Sequence, residues 1–515
     1  MRKFSGVIAA LAVAGLLAGG ASGSTAMPGL SQAPAPSGTL TMAVSTDPGN
    51  LDPQLTLLGA ARTVDSFAYD SLLSVVGPGK LATGLAQSWK VVSAKKVVLT
   101  LRSGVTCADG TRMTASVVKR NLDFVANPAN QSPYFGVAIP PTTTVAANDA
   151  ARTVTVTTQI PNPFMLQGLG LIQIVCSRGL ADRSLLDKGT VGSGPYRLVE
   201  AVSGDHYTFA VRSGYTWGPN GATTAAAKLP ARVVLKVVPN EQTAANLLVT
   251  GGVNVAVISG ADRARLNRQK LFSRVTIGFP LEFFFNQKPG RPLASSPVRK
   301  AAVRAMNLNQ IGGVATSGLG IPITQLTRQD LSPCPGNSVA GSLPTYSPSA
   351  ARAVLSRTSP SLKVIFPTDA GVSITPAMEL AQQQLSAAGA KVTLQGMSTV
   401  ALQGALFGTG DWDVAVLGIG VSSPAQLTSF LSGPSPPNGV NFSVIDNAAY
   451  RVAAARATRR VGAVGCKFWL DGERALFREA NLAPSRAVTA AIYGKNSVFS
   501  VDAGGVVPTS LRLTK

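Results

Sequence analysis

The sequence predicts a mixed α/β protein with more than one domain. Its 515 residues correspond to two to four domains of ordinary size, each with enough chain for a real core. Hydrophobic residues make up 45% and charged residues 14%, a balance typical of globular rather than disordered chains. Runs with strand-like alternation and runs with helical periodicity also follow one another along the chain, separated by glycine- and proline-rich turns.

The N-terminus has the pattern of a secretory signal peptide. A basic pair, Arg2-Lys3, precedes the apolar run Val7–Leu17, and small residues in Gly19–Ala26 offer cleavage after Gly23 or Ala26. The apolar run is shorter than the roughly 20 residues that a membrane span needs. We therefore expect a signal peptide at 1–26 and a flexible leader at 27–37, and we expect the protein to be exported.

The first half of the chain mixes strands with short helices. The expected strands are Thr39–Ser45, a pair formed by Leu85–Lys90 and Val91–Leu101, and the buried apolar run Leu169–Cys176. We expect a helix over Ala60–Val75 and a second helix that ends near Phe124, with Thr114 as its N-cap.

The second half repeats this mixture. Strands are expected at Ala231–Val238, Pro280–Asn286, Leu362–Pro367, Lys391–Leu394 and Asp411–Gly420. Helices are expected at Asn240–Leu248, from Ser296-Pro297 with Ser296 as N-cap, and at Ser347–Leu355, Ile374–Ala388 and Cys466–Glu479.

The most informative segment is Val191–Gly218, which predicts a β-hairpin. It opens with the turn Gly192-Ser193-Gly194-Pro195 and contains the strand-like runs Tyr196–Val202 and Tyr207–Val211. It closes with Tyr215-Thr216-Trp217-Gly218. This pattern resembles the signature of the extracytoplasmic solute-binding proteins of the peptide/nickel class, family 5. Further blocks resemble the same family in the same order: TDPGNLDP at 46–53, LRSGVTCADGTRMT at 101–114, PLEFFFN at 280–286 and NFSVIDNAAYRV at 441–452.

The resemblance implies an α/β, two-lobed periplasmic-binding-protein-like fold of type II, cluster C, with a hinged ligand cleft. Lobe I would combine residues 38–59, 190–277 and 494–515, an extra domain at 60–189 would be inserted in it, and lobe II would be 278–493. The implied function is capture of an oligopeptide or related elongated solute for an ABC permease, by a monomer that is not an enzyme and binds no nucleic acid. An alternative hypothesis is a non-transport ligand sensor or scaffold of the cell envelope that binds acidic components.

The ligand site implied by the resemblance has two loops. The first follows the first strand and includes Ser45, Thr46, Asp47 and Asn50. The second belongs to the end of the predicted strand Asp411–Gly420 and consists of Gly418, Ile419, Gly420, Val421, Ser422 and Ser423, with Phe284 and Asn286 as further contacts. Peptide-binding relatives carry an acid at the position of Ser422, where it pairs with the ligand's α-amino group. Either another acid such as Asp47 replaces it, or the ligand has no free amine. Asp47 and Asn50 could equally be turn-stabilising residues.

Four cysteines in an exported chain indicate disulfides, and three pairings are possible. The lobe division that the resemblance implies favours Cys107–Cys176 and Cys334–Cys466, with free buried thiols as the alternative. We expect no cofactor and no metal site, because the chain has no C-x-x-C motif and a single histidine, His206. Gly20 stands where a lipoprotein's cysteine would follow Leu17-Ala18-Gly19, so we expect a location at the extracytoplasmic face of the membrane without a thioether lipid.

The net charge of +22 is the last compositional clue. It could attract an anionic polymer or membrane. The basic residues are spread along the chain without a run of five like charges, which favours a solvated basic surface.

Overall fold

The computed structural model describes residues 36–368, 374–502 and 505–514. The expected signal peptide and nearly all of the leader lie outside these residues. In the part of the chain that is described, no helix is long and apolar enough to cross a membrane.

Strands make up one large sheet and four small ones among the described residues. The strands are β1 Thr39–Val44, β2 Leu73–Gly77, β3 Lys80–Thr83, β4 Ala86–Ser93, β5 Lys96–Leu101, β6 Thr144–Asn148, β7 Thr153–Thr157, β8 Tyr196–Val202, β9 His206–Val211, β10 Arg232–Val237, β11 Val255–Ile258, β12 Phe272–Phe285, β13 Ile321–Pro322, β14 Ser361–Pro367, β15 Lys391–Met397, β16 Val414–Leu417, β17 Leu482–Gly494, β18 Ser497–Val498, β19 Val501–Asp502, β20 Gly505–Val506 and β21 Arg512–Leu513.

Helices cover the sheets. They are α1 Gly59–Ala68, α2 Ala115–Ala126, α3 Met165–Leu169, α4 Ser177–Ala181, α5 Glu241–Thr250, α6 Asp262–Arg268, α7 Ser296–Ala305, α8 Leu308–Ala315, α9 Pro348–Thr358, α10 Ile374–Ala387, α11 Thr399–Gly404, α12 Thr428–Ser432, α13 Ala448–Thr458 and α14 Cys466–Arg478.

Most predicted elements are present, and three predictions need correction. The first helix ends at Ala68, and the chain turns into strand β2 instead of continuing to Val75. The buried run Leu169–Cys176 forms only an isolated bridge between Gln173 and Ser71, because it follows the short helix α3 as a packed loop. Helix α7 begins at Ser296, so Ser295 is its N-cap, and the Ser296 hydroxyl donates to Glu479 Oε2 at 2.9 Å.

The large sheet has the order β15-β14-β16-β12-β17-β11-β1-β10-β9-β8, with β13 on β17. One end is the parallel group β15-β14-β16, and it joins the sheet where β16 pairs antiparallel with 282–285 of β12. The other end, β11-β1-β10-β9-β8, joins it where β11 pairs with 491–494 of β17. The long β12–β17 ladder is therefore the backbone connection between the two ends of the sheet.

This connecting ladder is irregular at its centre. Pairing is regular from Phe272↔Gly494 to Ile277↔Thr489, and it shifts register between Ile277 and Pro280 and again before Glu282. Proline cannot donate a ladder hydrogen bond, so Pro280 helps to interrupt the pairing. The segment 278–281 is thus a local bend between the two ends of the sheet.

Five clusters of buried hydrophobic residues lie around the sheets. Residues of 72–176 build one core with Tyr215 and Trp217, two further cores line the β1–β10–β11 end, and two lie on opposite faces of the β14–β16–β12 end. Strand alternation explains the last pair: Phe283 and Phe285 enter one cluster, and Phe284 enters the other.

The hairpin Val191–Gly218 is held in place by one buried carboxylate, Asp70. It accepts hydrogen bonds from Ser193 Oγ at 2.8 Å, Tyr215 OH at 2.7 Å and Trp217 Nε1 at 3.0 Å. Arg212 lies beside this group and donates to the carbonyls of Ser193 and Gly194 at 2.6 and 3.0 Å. Burial raises the pKa of Asp70, although the three donors oppose that shift.

The glycines of this motif are required by close packing. A Cβ on Gly192 would lie 2.2 Å from the Ala68 carbonyl oxygen, and one on Gly194 would lie 2.4 Å from the Ala68 carbonyl carbon. Because these contacts are with backbone atoms, they could not be relieved by a side-chain rotation. The turn therefore lies directly against the C-terminal end of α1.

Both predicted disulfides are present, Cys107–Cys176 and Cys334–Cys466, and no free cysteine remains among the described residues. They close chain separations of 69 and 132 residues. The first links the loop before α2 to the residue before α4, within the core that Asp70 borders.

We expect Asp70→Asn to lower the free energy of unfolding by about 2–4 kcal/mol, because an amide group leaves at least one buried donor without an acceptor. Denaturant titration monitored by tryptophan fluorescence would measure the loss. Asp65→Asn is the matched control: Asp65, within α1, is also buried, but its carboxylate accepts no hydrogen bond, so its replacement should cost nothing. Equal losses for the two variants would contradict the role of Asp70.

Candidate functional site

Three loops meet where β16 ends. The loop after β16, residues 418–426, reaches the segment 132–137 through a hydrogen bond from Gln426 Nε2 to the Val137 carbonyl at 3.2 Å. The same segment reaches the chain before α1 through Tyr134 OH, which donates to the Thr56 carbonyl at 3.4 Å. Residues 54–58, 132–137 and 418–426 therefore border one region of the surface, which we call the three-loop site.

The three-loop site has an apolar rim. Leu55, Leu57, Leu58 and Val137 are 40%, 49%, 57% and 40% exposed. Exposed large aliphatic side chains grouped at the edge of loops are typical of surfaces that bind a ligand or a partner.

The loop 418–423 is held by its own hydrogen bonds. Gln426 Oε1 accepts from the amides of Ser422 and Ser423 at 3.2 and 3.0 Å, and both serines are buried. The Val421 carbonyl accepts from the Arg328 amide at 3.0 Å. Of this loop, only Gly420 is fully exposed, while Gly418, Ile419 and Val421 are half-buried. The exposed backbone near Gly420 is thus the part that a ligand could reach.

Gly418 has a packing role that the sequence does not reveal. A Cβ there would lie 2.3 Å from Phe279 Cδ2 and 2.3 Å from the Pro280 carbonyl oxygen. The loop therefore packs directly on the bend of β12, and movement of that bend would move the loop.

Glu282 is a buried carboxylate beside this contact. It is 1% exposed, and the one hydrogen bond that the described residues give it comes from the Ile419 amide, to Oε2 at 3.3 Å. Burial raises the pKa of Glu282 well above its ordinary value, and the nearby carboxylate of Glu473 adds to the shift. Glu282 shares a strand face with Phe284.

The second buried carboxylate, Glu473, accepts more hydrogen bonds than Glu282 does. It accepts from Ser338 Oγ at 2.5 Å and from the Leu326 amide at 3.3 Å. Burial raises the pKa of Glu473 to about 7. Two buried carboxylates thus lie on one face of the β14–β16–β12 end, and Glu282 accepts fewer hydrogen bonds than Glu473.

The predicted first loop lies in a different contact network. Asp47 accepts from the amides of Gly49 at 2.7 Å and Gly204 at 2.5 Å and from Tyr207 OH at 2.9 Å. Both carboxylate oxygens are thus engaged in fastening the loop to the β8–β9 turn, as the turn-stabilising alternative states. Burial opposes ionisation of Asp47, but the hydrogen bonds from Gly204 and Gly49 outweigh it, so the pKa is lowered.

The remaining residues of the first loop are surface residues. Ser45 and Thr46 are exposed, and Asn50 accepts from the Asp52 amide at 2.7 Å and donates to Asp187 at 3.4 Å. Among the described residues, no hydrogen bond joins 45–50 to 418–423. The two predicted loops thus belong to separate hydrogen-bond networks.

Phe284 and Asn286 are interior residues in this structure. Phe284 is 1% exposed, and its ring centroid lies 5.1 Å from that of Phe442. Asn286 donates through Nδ2 to the carbonyls of Trp412 at 2.8 Å and Gly410 at 3.3 Å, which ends β12. Neither side chain offers surface to a ligand in this conformation.

A second contact joins residues 60–189 to residues 278–493. Phe164 is 2% exposed because it packs into the cluster that contains Trp412, Trp469 and Phe442. Beside it, the Gly462 amide donates to the Pro163 carbonyl at 3.0 Å. The two segments are therefore in direct contact.

Sequence reasoning missed Glu282, Val137, Gln426 and Phe164. Glu282 had a usable signal, since it is a lone acid inside the apolar run PLEFFFN. The other three have no local signal, because their role depends on which loops the fold brings together.

The chemistry of the three-loop site is that of binding. Its groups are backbone amides and carbonyls, an apolar rim and one carboxylate. No group of three or more metal-ligating side chains occurs among the described residues. His206 lies elsewhere, on the β8–β9 hairpin, where hydrogen bonding to Asp205 raises its pKa.

Comparison with known proteins supports this geometry. A profile described as bacterial extracellular solute-binding proteins, family 5 Middle, matches residues 80–456. The glutathione-binding protein GsiB of Escherichia coli K12 is 25% identical over 293 residues, which is 55% of this chain and 55% of GsiB. The chain therefore spans little more than half the length of such curated relatives.

Two solved structures resemble this chain along most of its length. A substrate-binding protein from Microbacterium hydrocarbonoxydans, complexed with 4-hydroxybenzoate hydrazide, has a TM-score of 0.75 at 24% identity and covers 92% of this chain and 100% of its own. A dipeptide-binding protein from Pseudoalteromonas, in complex with Met-Leu, has a TM-score of 0.73 at 18% identity and covers 92% and 100%. The predicted two-lobed, mixed α/β fold is confirmed.

We expect Gly418→Ala to destabilise the protein by about 1–3 kcal/mol, because the new methyl group overlaps the bend of β12. Gly420→Ala is the control from the same loop: its Cβ would lie 3.7 Å from Phe279 Cβ, an ordinary contact. Thermal unfolding of both variants checks the expectation, and an unchanged melting temperature for Gly418→Ala would show that the loop and the bend are not packed as described.

Proposed function

Because the chain belongs to the bacterial extracellular solute-binding proteins of family 5, we propose that it is the exported binding component of an ABC importer. In this proposal it captures a peptide or related elongated solute between two lobes and delivers it to a permease. It acts outside the cytoplasm and catalyses no reaction. Relatives named for binding glutathione and Met-Leu support a peptide-like ligand.

The observation that carries the proposal is the two-strand connection. The ends of the large sheet are joined through β12 and β17, and β12 loses regular pairing at 278–281. A hinge between two lobes needs few connecting segments, because the motion is then absorbed by the backbone dihedral angles of a few residues. Two connecting strands with a local bend meet this requirement. We place the lobe boundary at this bend and, in β17, opposite it at 485–488.

The ligand site would lie beside the hinge. The exposed backbone near Gly420 can hydrogen-bond an extended ligand as an added strand, and the apolar rim of Leu55, Leu57 and Val137 can hold its side chains. Asp47 is fully engaged elsewhere, so we assign the ligand's amino group to Glu282. Opening at the bend would uncover Glu282, because Ile419 and the hinge residues cover it in this structure.

Mass spectrometry of protein purified under native conditions tests the binding function. A co-purified solute of defined mass, released on denaturation, is the expected result. Thermal-shift measurements against peptide pools should then raise the melting temperature, since a ligand that binds only the folded state stabilises it. A flat response across diverse peptides would contradict a peptide ligand.

We expect Glu282→Gln to weaken binding of a responding peptide at least about tenfold, which corresponds to roughly 1.4 kcal/mol for a charge-assisted hydrogen bond. N-acetylation of the peptide should weaken binding to the wild type by a similar factor and leave the variant unaffected. Titration calorimetry measures both effects. Glu473→Gln is the matched control, because that buried carboxylate already has two donors and should leave affinity unchanged. Equal affinity of wild type and Glu282→Gln would exclude Glu282 as the amine partner.

The alternative hypothesis, a ligand sensor or scaffold of the cell envelope, also includes ligand binding. It differs from the import hypothesis because the bound protein would not deliver the solute to a permease. The net charge of +22 is the observation in its favour. Uptake of the identified solute by cells with and without the gene separates the two functions: loss of uptake supports import, and unchanged uptake supports the sensor.

A further inference from the structure

A cavity lies next to the three-loop site and shares only Tyr134 with it. It has a volume of about 310 Å³ and is enclosed by α1, the loop 170–173 and the segment 505–509, and no residue of 418–426 lines it. A cavity of this size falls at the lower end of those that bind small ligands.

Asp65 projects from α1 into the wall of this cavity without any partner. The residue is 1% exposed, and neither carboxylate oxygen has a hydrogen bond. Asp70, on the same wall, has three donors. A buried carboxylate with no donor is costly, because desolvation disfavours its charge and no hydrogen bond offsets the loss.

The surroundings of Asp65 give its carboxylate no hydrogen bond. Gln173 Oε1 lines the same cavity and is also buried without a partner. The hydroxyls of Tyr69, Tyr134 and Tyr215, which also line the cavity, bond to other groups. Arg62 lies on the cavity wall and attracts the Asp65 carboxylate electrostatically, but no ion pair joins the two among the described residues. The Asp65 oxygens therefore have a positive charge nearby but no hydrogen-bond donor.

We propose that this cavity is a second binding site, which takes a small organic cation with its ammonium or guanidinium group on Asp65 and Gln173. Such a group brings several N–H donors, which the unpartnered oxygens lack, together with a positive charge that complements the carboxylate. A chelated metal ion fits less well, because no group of three or more metal-ligating side chains occurs among the described residues. The site is independent of the proposed cleft function.

Ethylammonium and putrescine are suitable probes, with sodium chloride at equal ionic strength as the reference. We expect a saturable rise in melting temperature for the full-length wild type and at least a tenfold loss of affinity in Asp65→Asn. Glu282→Gln should respond as the wild type does, so failure of the cleft assignment leaves this result intact. Equal responses of wild type and Asp65→Asn would overturn the proposal.

A crystal soak tests the location without reference to stability. Crystals of the wild type soaked in 2-bromoethylammonium should show an anomalous bromine peak in this cavity, and Asp65→Asn crystals should not. A cavity that holds only water, or an Asp65 carboxylate bonded to Arg62 instead, would refute a cation site. Bromine in both proteins would show an adventitious additive only and would equally refute it.

Discussion

The buried carboxylate of Asp70 is the interaction on which the first half of the molecule depends. Three donors from the hairpin Val191–Gly218 converge on it, and Arg212 connects the same hairpin to the carbonyl of Cys107 at 3.0 Å. A buried carboxylate is stabilised when hydrogen-bond donors replace the water that it has lost. The hairpin is therefore joined to Asp70 through these donors and to the loop of Cys107 through Arg212.

The second half depends on continuity rather than on a single group. Strands β12 and β17 connect the two ends of the sheet. A change in backbone conformation at the bend 278–281 would therefore shift the segments that pack on it. Gly418 lies against that bend, and Glu282 follows it by one residue. The bend, the loop that begins at Gly418 and the Glu282 carboxylate are thus in direct contact, so the proposed hinge motion would move all three together.

The sequence anticipates the fold well, and it does not anticipate which distant segments meet at the candidate site. Turn residues and alternation predict most strands, and the hairpin motif implies the fold class, because local backbone demands such as those at Gly192 and Gly194 leave a mark in the sequence. The end of helix α1 at Ala68 has no local sequence signal, because it depends on the burial of the Tyr69 and Asp70 side chains in the interior. The roles of Asp47, Phe284 and Glu282 are set by which distant segments surround them. Asp47 faces a turn 157 residues away, and no local pattern encodes that meeting.

The seat of Phe164 bears on how quickly a solute can enter. Its ring is buried among residues of 278–493, and complete burial of such a side chain is worth roughly 1.5–3 kcal/mol. In the proposed hinge motion, separation of 60–189 from 278–493 would expose that ring and would cost a comparable free energy. If the solute enters only the open form, the apparent association rate would depend on this internal equilibrium. The contact that slows capture would then also slow release.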